Sequence, residues 1–252
     1  MKGLAGKVVV VTGGETGIGR AIVLRCAAEG AHVVAAGIQA DKLDAVAAQA
    51  EAAQSAGQVI GVPTDVRERS QIDALFERAV GEFGQLDTAI ANAATFNPAT
   101  PLVDTDMADW HRIIAVNLTG AFETLQAAAR VLLAQGKGGS LLATTSSTVG
   151  RPSVGVLPYV ASKGGLQLMM RALAIELAPH NIRCNTIMPG LARTPALDTY
   201  SDEYIETAIA AAPMGALVEP EELAGLVAFA ISDEAPHMTG TILKVDAGRT
   251  SA

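Results

Sequence analysis

The run at residues 7–12 (KVVVVT) and the glycine-rich turn after it restrict the fold more than any other stretch of the chain. A continuous β-branched run reads as a strand with both faces buried, the kind found in parallel sheets covered by helices. It leads straight into Gly13-Gly14-Glu15-Thr16-Gly17-Ile18-Gly19-Arg20 and then an apolar helical pattern over residues 21–28. Strand, glycine turn and helix start together make a phosphate cradle. Glycines let the backbone approach the anion, and the free N–H groups of the first helical turn point at it. The spacing is Thr-Gly-x-x-x-Gly-x-Gly, which is neither the Gly-x-Gly-x-x-Gly fingerprint nor a P-loop with its Gly-Lys-Ser/Thr.

Residues 31–36 read as a second strand, closing a β-α-β unit with a right-handed crossover. A carboxylate at the end of that strand would favour a free ribose 2′-hydroxyl, and an arginine a 2′-phosphate. Gly37-Ile38-Gln39 stand there and supply neither. Glu15-Thr16 occupy the place in the turn from which a base could serve the phosphate, so the pattern leans to NAD over NADP. A helix follows over residues 41–56 and a strand over 59–63, ending in Thr64-Asp65-Val66, where Asp65 suits either an adenine contact or a helix N-cap. After a helix at 70–83 and a strand at 85–91 come Asn92-Ala93-Ala94, small enough for a cofactor to lie against the backbone. Further strands read at 140–145, 181–188 and 241–245, with helices from Pro158 and over 219–231. Residues 191–215 suit a lid or loop over a pocket. This alternation predicts one α/β domain over residues 1–252: a doubly wound parallel sheet of Rossmann type, about seven strands, helices on both faces.

Tyr159 and Lys163 are four residues apart, so they stack on one helix face. An ammonium one turn away favours the phenolate and should lower the tyrosine from its ordinary value near about 10. Asn117 sits in an apolar run, where a buried amide needs partners. The glycine turn, Gly37, Asp65, Asn92, Ser146-Ser147 and Pro189-Gly190 all fall at strand ends, the edge where such folds bind ligands. A net charge of -8 with no basic cluster argues against nucleic acid. Cys26 and Cys184 read as reduced core thiols, and His32, His111, His180 and His237 form no pair at metal-ligand spacing. There is no Gly-x-Ser-x-Gly elbow for a hydrolase. With no apolar leader at the start and no uninterrupted apolar span, the expectation is a cytoplasmic protein without a membrane segment.

Taken together, these motifs resemble the short-chain dehydrogenase/reductase family over nearly the whole chain. Thr12-Gly13-x3-Gly17-Ile18-Gly19 is similar to its cofactor turn, Tyr159-x3-Lys163 to its active-site motif, Asn117 in Val-Asn-Leu-Thr-Gly to its helix asparagine, and Ser146 to its serine. Pro189-Gly190 with Thr194 resembles the segment lining the nicotinamide, and residues 240–248 the closing strand. Two departures stand out. The family's Asn-Asn-Ala-Gly is Ala91-Asn92-Ala93-Ala94, which implies crowding near the adenosine, and Ser147-Thr148-Val149-Gly150 fits the family's Ser-x-x-Gly phrasing as well as Ser146 fits its spacing.

The resemblance implies NAD(P)-dependent interconversion of a secondary alcohol and a ketone. Tyr159 would be the general acid/base; Lys163 would lower its pKa and hold the nicotinamide ribose. Ser146 would donate to the substrate oxygen, and Asn117 would hold a water. Cofactor contacts would come from Gly13, Thr16, Gly17, Ile18 and Gly19 in the turn, Gly37 and Ile38 after the second strand, and Asp65 and Val66 after the third. Asn92 and Ala93, Tyr159 and Lys163, and Pro189, Gly190 and Thr194 would complete them, with no metal. A cofactor-sensing binding protein on the same fold is the competing class, disfavoured because Tyr, Lys and Ser are all present. Val154, Val156, Leu157, Leu191, Tyr200 and Met214 suggest an apolar pocket with no arginine awaiting a carboxylate. Apolar helices at 121–134 and 166–177 suggest a homo-oligomer, the tetramer common in the family.

Overall fold

The computed structural model describes residues 1–251. Its centre is β1 (Val8–Thr12), buried along its whole length. Val9 and Val11 pack into one core layer and Val10 into the other, which is why the valine run has no polar position. Each fully buried valine contributes roughly 1.5–3 kcal/mol of hydrophobic stabilisation. The chain continues through α1 (Gly17–Ala28), β2 (His32–Gly37), α2 (Ala40–Ala52), β3 (Val59–Pro63) and α3 (Arg69–Phe83). It returns through β4 (Thr88–Ala91), α4 (Met107–Ile114), α5 (Ala121–Gln135), β5 (Gly139–Thr144) and α6 (Leu157–Leu177). The last elements are β6 (Ile182–Pro189), α7 (Asp202–Ala210), α8 (Pro220–Ile231) and β7 (Ile242–Val245).

The seven strands form one parallel sheet in the order β3-β2-β1-β4-β5-β6-β7. Chain direction across the sheet reverses between β1 and β4, which opens a crevice beyond their carboxyl ends. On one face Ile22 and Val23 of α1 and Leu223 and Val227 of α8 build the core. On the other, Leu75 of α3, Leu125 of α5 and Leu166 of α6 do so. The sheet predicted from the alternation is therefore present, with small shifts at its boundaries.

Three local differences from the sequence reading have physical causes. The helix expected over 41–56 ends at Ala52 because the chain turns through a left-handed Gln54 (φ 51°). The long helix carrying Asn117 is divided: between α4 and α5, Ala115–Gly120 form a π-helical turn. The segment over 191–215 is not an open loop but carries a 3-10 turn at Pro195–Thr199 and then α7, capped by the Ser201 hydroxyl. Cys26 and Cys184 are buried free thiols, both pushed up to about 12 by burial. Among the described residues, no helix is long and apolar enough to cross a membrane.

Candidate active site

A cleft of about 610 Å³ runs along the carboxyl edge of the sheet, from the glycine turn to the 3-10 turn before α7. Its floor follows from backbone economy at the β1 end. Gly13 adopts a left-handed φ of 64°, and a side chain there would approach the Ala93 backbone to 2.9 Å. Gly19 does not line the cleft. It lets α1 press against the turn, since a Cβ there would stand 1.9 Å from the Gly13 carbonyl oxygen. The turn thus closes only with bare glycines at 13 and 19, and it fits a dinucleotide diphosphate held by backbone N–H groups.

One polar relay connects that turn to the Tyr-Lys pair. The Thr12 hydroxyl accepts from the backbone N–H groups of Asn92 (3.1 Å) and Ala93 (3.2 Å). Asn92 Nδ2 donates to the carbonyls of Thr12 and Gly13, each at 3.1 Å. Its Oδ1 accepts from the Thr144 hydroxyl at 3.0 Å. The Thr144 carbonyl, at the end of β5, accepts from Lys163 Nζ at 2.7 Å. Lys163 is 1% exposed and has no carboxylate partner among the described residues. Burial pushes its pKa down to about 8.

Tyr159 lies in the first turn of α6, next to Pro158, with Lys163 Nζ 5.8 Å from its ring centre. The phenol forms part of the cleft wall, yet the protein around it removes enough water to push its pKa up to about 12. The Ser146 hydroxyl opposes that rise, and the nearby Tyr200 adds to it. This corrects the expectation that the ammonium lowers the tyrosine: desolvation dominates, and both groups are driven toward their neutral forms. Ser146 and Ser147 both reach the cleft, but only Ser146 acts on the Tyr159 phenol, favouring its charged form. The Ser146 oxygen also accepts from the Thr148 N–H at 3.2 Å and from its hydroxyl at 3.0 Å.

Asn117 stands behind the site rather than in it. It is fully buried in the π-turn and absent from the cleft lining. Its Oδ1 accepts from the Thr95 N–H and its Nδ2 donates to the Thr95 carbonyl, both at 2.8 Å. Nδ2 also reaches the Ser162 hydroxyl at 3.2 Å, and that hydroxyl donates to the Tyr159 carbonyl at 2.7 Å. Asn117 therefore ties the loop after β4 to the turn of helix bearing Tyr159.

The remaining residues expected at the cofactor, Thr16, Gly17, Ile18, Gly37, Ile38, Asp65, Val66, Ala93, Pro189, Gly190 and Thr194, all line the cleft. Asp65 is not a helix N-cap, since α3 starts after Glu68. Its carboxylate instead accepts from Arg67 Nε at 3.0 Å, and the guanidinium holds the carboxyl below the usual carboxylate range. Ala94 is exposed, has an ordinary backbone and lines the cleft.

On the substrate side the lining differs from expectation. Val156, Leu191 and Tyr200 take part, whereas Val154, Leu157 and Met214 are exposed outside the cleft, Val154 by 95%. Phe96, Tyr200 and Tyr204 form a stacked wall, with ring centres 6.0 and 4.8 Å apart. Arginines also reach the cleft, contrary to the sequence reading. Arg112 is occupied by Thr95, Phe96 and Asp109, but among the described residues Arg249 donates only from Nη2 to Ser153 (3.2 Å), and its buried Nε has no partner there. The spacing of tyrosines and arginines in the sequence gives no sign that these side chains meet.

A family model described as enoyl-(acyl carrier protein) reductase matches residues 13–250. The chain is 36% identical to 3-oxoacyl-[acyl-carrier-protein] reductase of Thermotoga maritima, over 97% of this chain and 98% of that one. The chain belongs to the short-chain dehydrogenase/reductase family. Within this family it is also 37% identical to cis-4-hydroxycyclohexanecarboxylate dehydrogenase of Sinomonas cyclohexanicum, over 98% of each chain. The crystal structure of 3-ketoacyl-(acyl-carrier-protein) reductase from Brucella melitensis complexed with NADH is similar throughout. Its TM-score is 0.91 at 31% identity, over 98% of this chain and 99% of that one. Short-chain dehydrogenase/reductases of this group are NAD(P)-dependent oxidoreductases, and this chain is an enzyme of that kind.

Proposed function

We propose that this enzyme interconverts a secondary alcohol and a ketone with NAD(H), with Tyr159 as general acid/base. The observation that carries the reading is the Tyr159 phenol, with Ser146 and the buried Lys163 lining the same cleft as the glycine turn. When bound, the nicotinamide supplies or accepts the hydride. The chain's own part is proton movement and placement. At neutral pH the phenol holds its proton and donates it from Oη to a ketone oxygen; in oxidation Oη takes the hydroxyl proton. Ser146 Oγ donates to the same oxygen as charge develops on it. Lys163 keeps a positive or neutral amine beside the phenol according to pH, and the Thr144 carbonyl fixes its direction.

The test is Tyr159→Phe. Removal of the acid should lower kcat by about 10²–10⁴-fold while NADH affinity stays within about threefold. Retained turnover would assign the proton to another group.

The stacked Phe96, Tyr200 and Tyr204 favour an apolar, ring-bearing substrate body. Arg249, with its buried free Nε, favours a second reading in which that body carries a carboxylate. The relation to an enzyme of a cyclic hydroxy acid points the same way. Exposed Phe122 and Leu133 on α5, with Leu168 and Ile175 on α6, support assembly as a homo-oligomer; a monomer mass by light scattering would refute the assembly.

A further inference from the structure

In dinucleotide-binding folds the acid that hydrogen-bonds the adenosine ribose stands after the second strand. Here that place holds Gly37 and Ile38, yet a carboxylate is present, delivered from the opposite side by the glycine turn. Glu15 lines the cleft beside Gly37 and Ile38 and is only 7% exposed. Its Oε1 accepts from the Ile38 N–H at 3.1 Å. Its Oε2 is buried with no partner, and Glu15 enters none of the ion pairs among the described residues. An unpaired buried carboxylate oxygen is costly unless a donor arrives. A carboxylate only accepts, so the missing partner is a hydroxyl or N–H.

The residue opposite shows that this placement is built. A Cβ at Gly37 would lie 2.0 Å from Glu15 Oε2 and 2.3 Å from Oε1. The end of β2 thus has room for the Glu15 carboxylate only because it has no side chain of its own. Ile38, 69% exposed, adds no cation to attract a phosphate.

We infer that Glu15 is the ribose-recognising residue of this enzyme: its Oε2 accepts from the adenosine 2′-hydroxyl and repels a 2′-phosphate, in the space that Gly37 leaves. The acid has moved from the strand end to the turn, and Glu15 and Gly37 act as one unit. The inference rests on the reading of the cleft as an NAD(H) site.

Binding of NADH and of NADPH to the full chain, measured by titration calorimetry, tests it without recourse to turnover. Wild type should bind NADH more tightly than NADPH. Glu15→Gln, nearly isosteric and still able to accept from Ile38, should reduce that preference by about tenfold or more, and Glu15→Ser by more again. Gly37→Asp alone should weaken NADH, since two carboxylates would claim one space. The double variant E15S/G37D should bring NADH preference back to within about threefold of wild type, the coupling expected of side chains in contact. An unchanged NADH-to-NADPH ratio in E15Q and E15S overturns the inference even if their Tm falls, and leaves the oxidoreductase reading standing. A wild type that prefers NADPH does the same. Binding of neither cofactor by wild type overturns both.

Discussion

Lys163 should make the ligand-free protein less stable at neutral pH than a variant lacking the amine. The side chain is 1% exposed, and its only hydrogen-bond partner among the described residues is the Thr144 carbonyl at 2.7 Å. Burial lowers its pKa from 10.5 to about 8. Folding therefore carries no charge penalty from this group above the unfolded value. The penalty grows as pH falls and is complete below the folded value. At about 1.4 kcal/mol per pKa unit, the full penalty is about 3 kcal/mol, of which about 2 kcal/mol disappears between about pH 6.5 and 9.5. Lys163→Met keeps the length and removes the charge, at the cost of one hydrogen bond, about 1 kcal/mol at either pH. Equilibrium urea unfolding of both proteins, at one concentration and without cofactor, gives the difference directly. The variant should gain on wild type at the lower pH and lose about 2 kcal/mol of that advantage at the higher one. The hydrogen-bond loss cancels from this comparison. A difference flat with pH to within about 0.5 kcal/mol would mean the amine is solvated or paired, and the account of Lys163 would fail.

Ser146→Ala should lower kcat by about 10²-fold with little change in NADH affinity, whereas Ser147→Ala should stay within about threefold of wild type; steady-state kinetics on one substrate separates the two serines, and the reverse ranking would reassign the role. 4-Methylcyclohexanone and 4-oxocyclohexanecarboxylate test the two substrate readings. If Arg249 receives a carboxylate, Arg249→Met should raise KM for the keto acid by about tenfold or more and leave the neutral ketone nearly unchanged.

The legible parts of this protein were those that local pattern alone can encode. The valine run of β1 has one packing solution, burial on both faces, and the glycine turn has one backbone course beneath it. Tyr159 and Lys163 could be paired because helical spacing puts them together, and the strand ends could be listed because alternation fixes the sheet. What was hidden depends on side chains meeting across the fold. Glu15 looked like the lack of a base, until the bare Gly37 beside it made its carboxylate a positive feature. Arg249 and Ser153 come together from distant segments, and so do Phe96 and Tyr200. The sign of the Tyr159 shift was missed for a related reason: spacing reports the neighbouring charge but not the water removed from both groups.

Asn117 limits what evolution can place at a position that never touches the cleft. Its one side chain both receives from and gives to the Thr95 peptide, as a neighbouring strand would, and also braces Ser162 beneath Tyr159. Aspartate has the shape without the donor, leucine has neither function, and glutamine places the amide one carbon too far. Sequence drift is therefore closed at this site for a reason of grammar: the loop after β4 needs a residue that can end one hydrogen bond and begin another, at a fixed length.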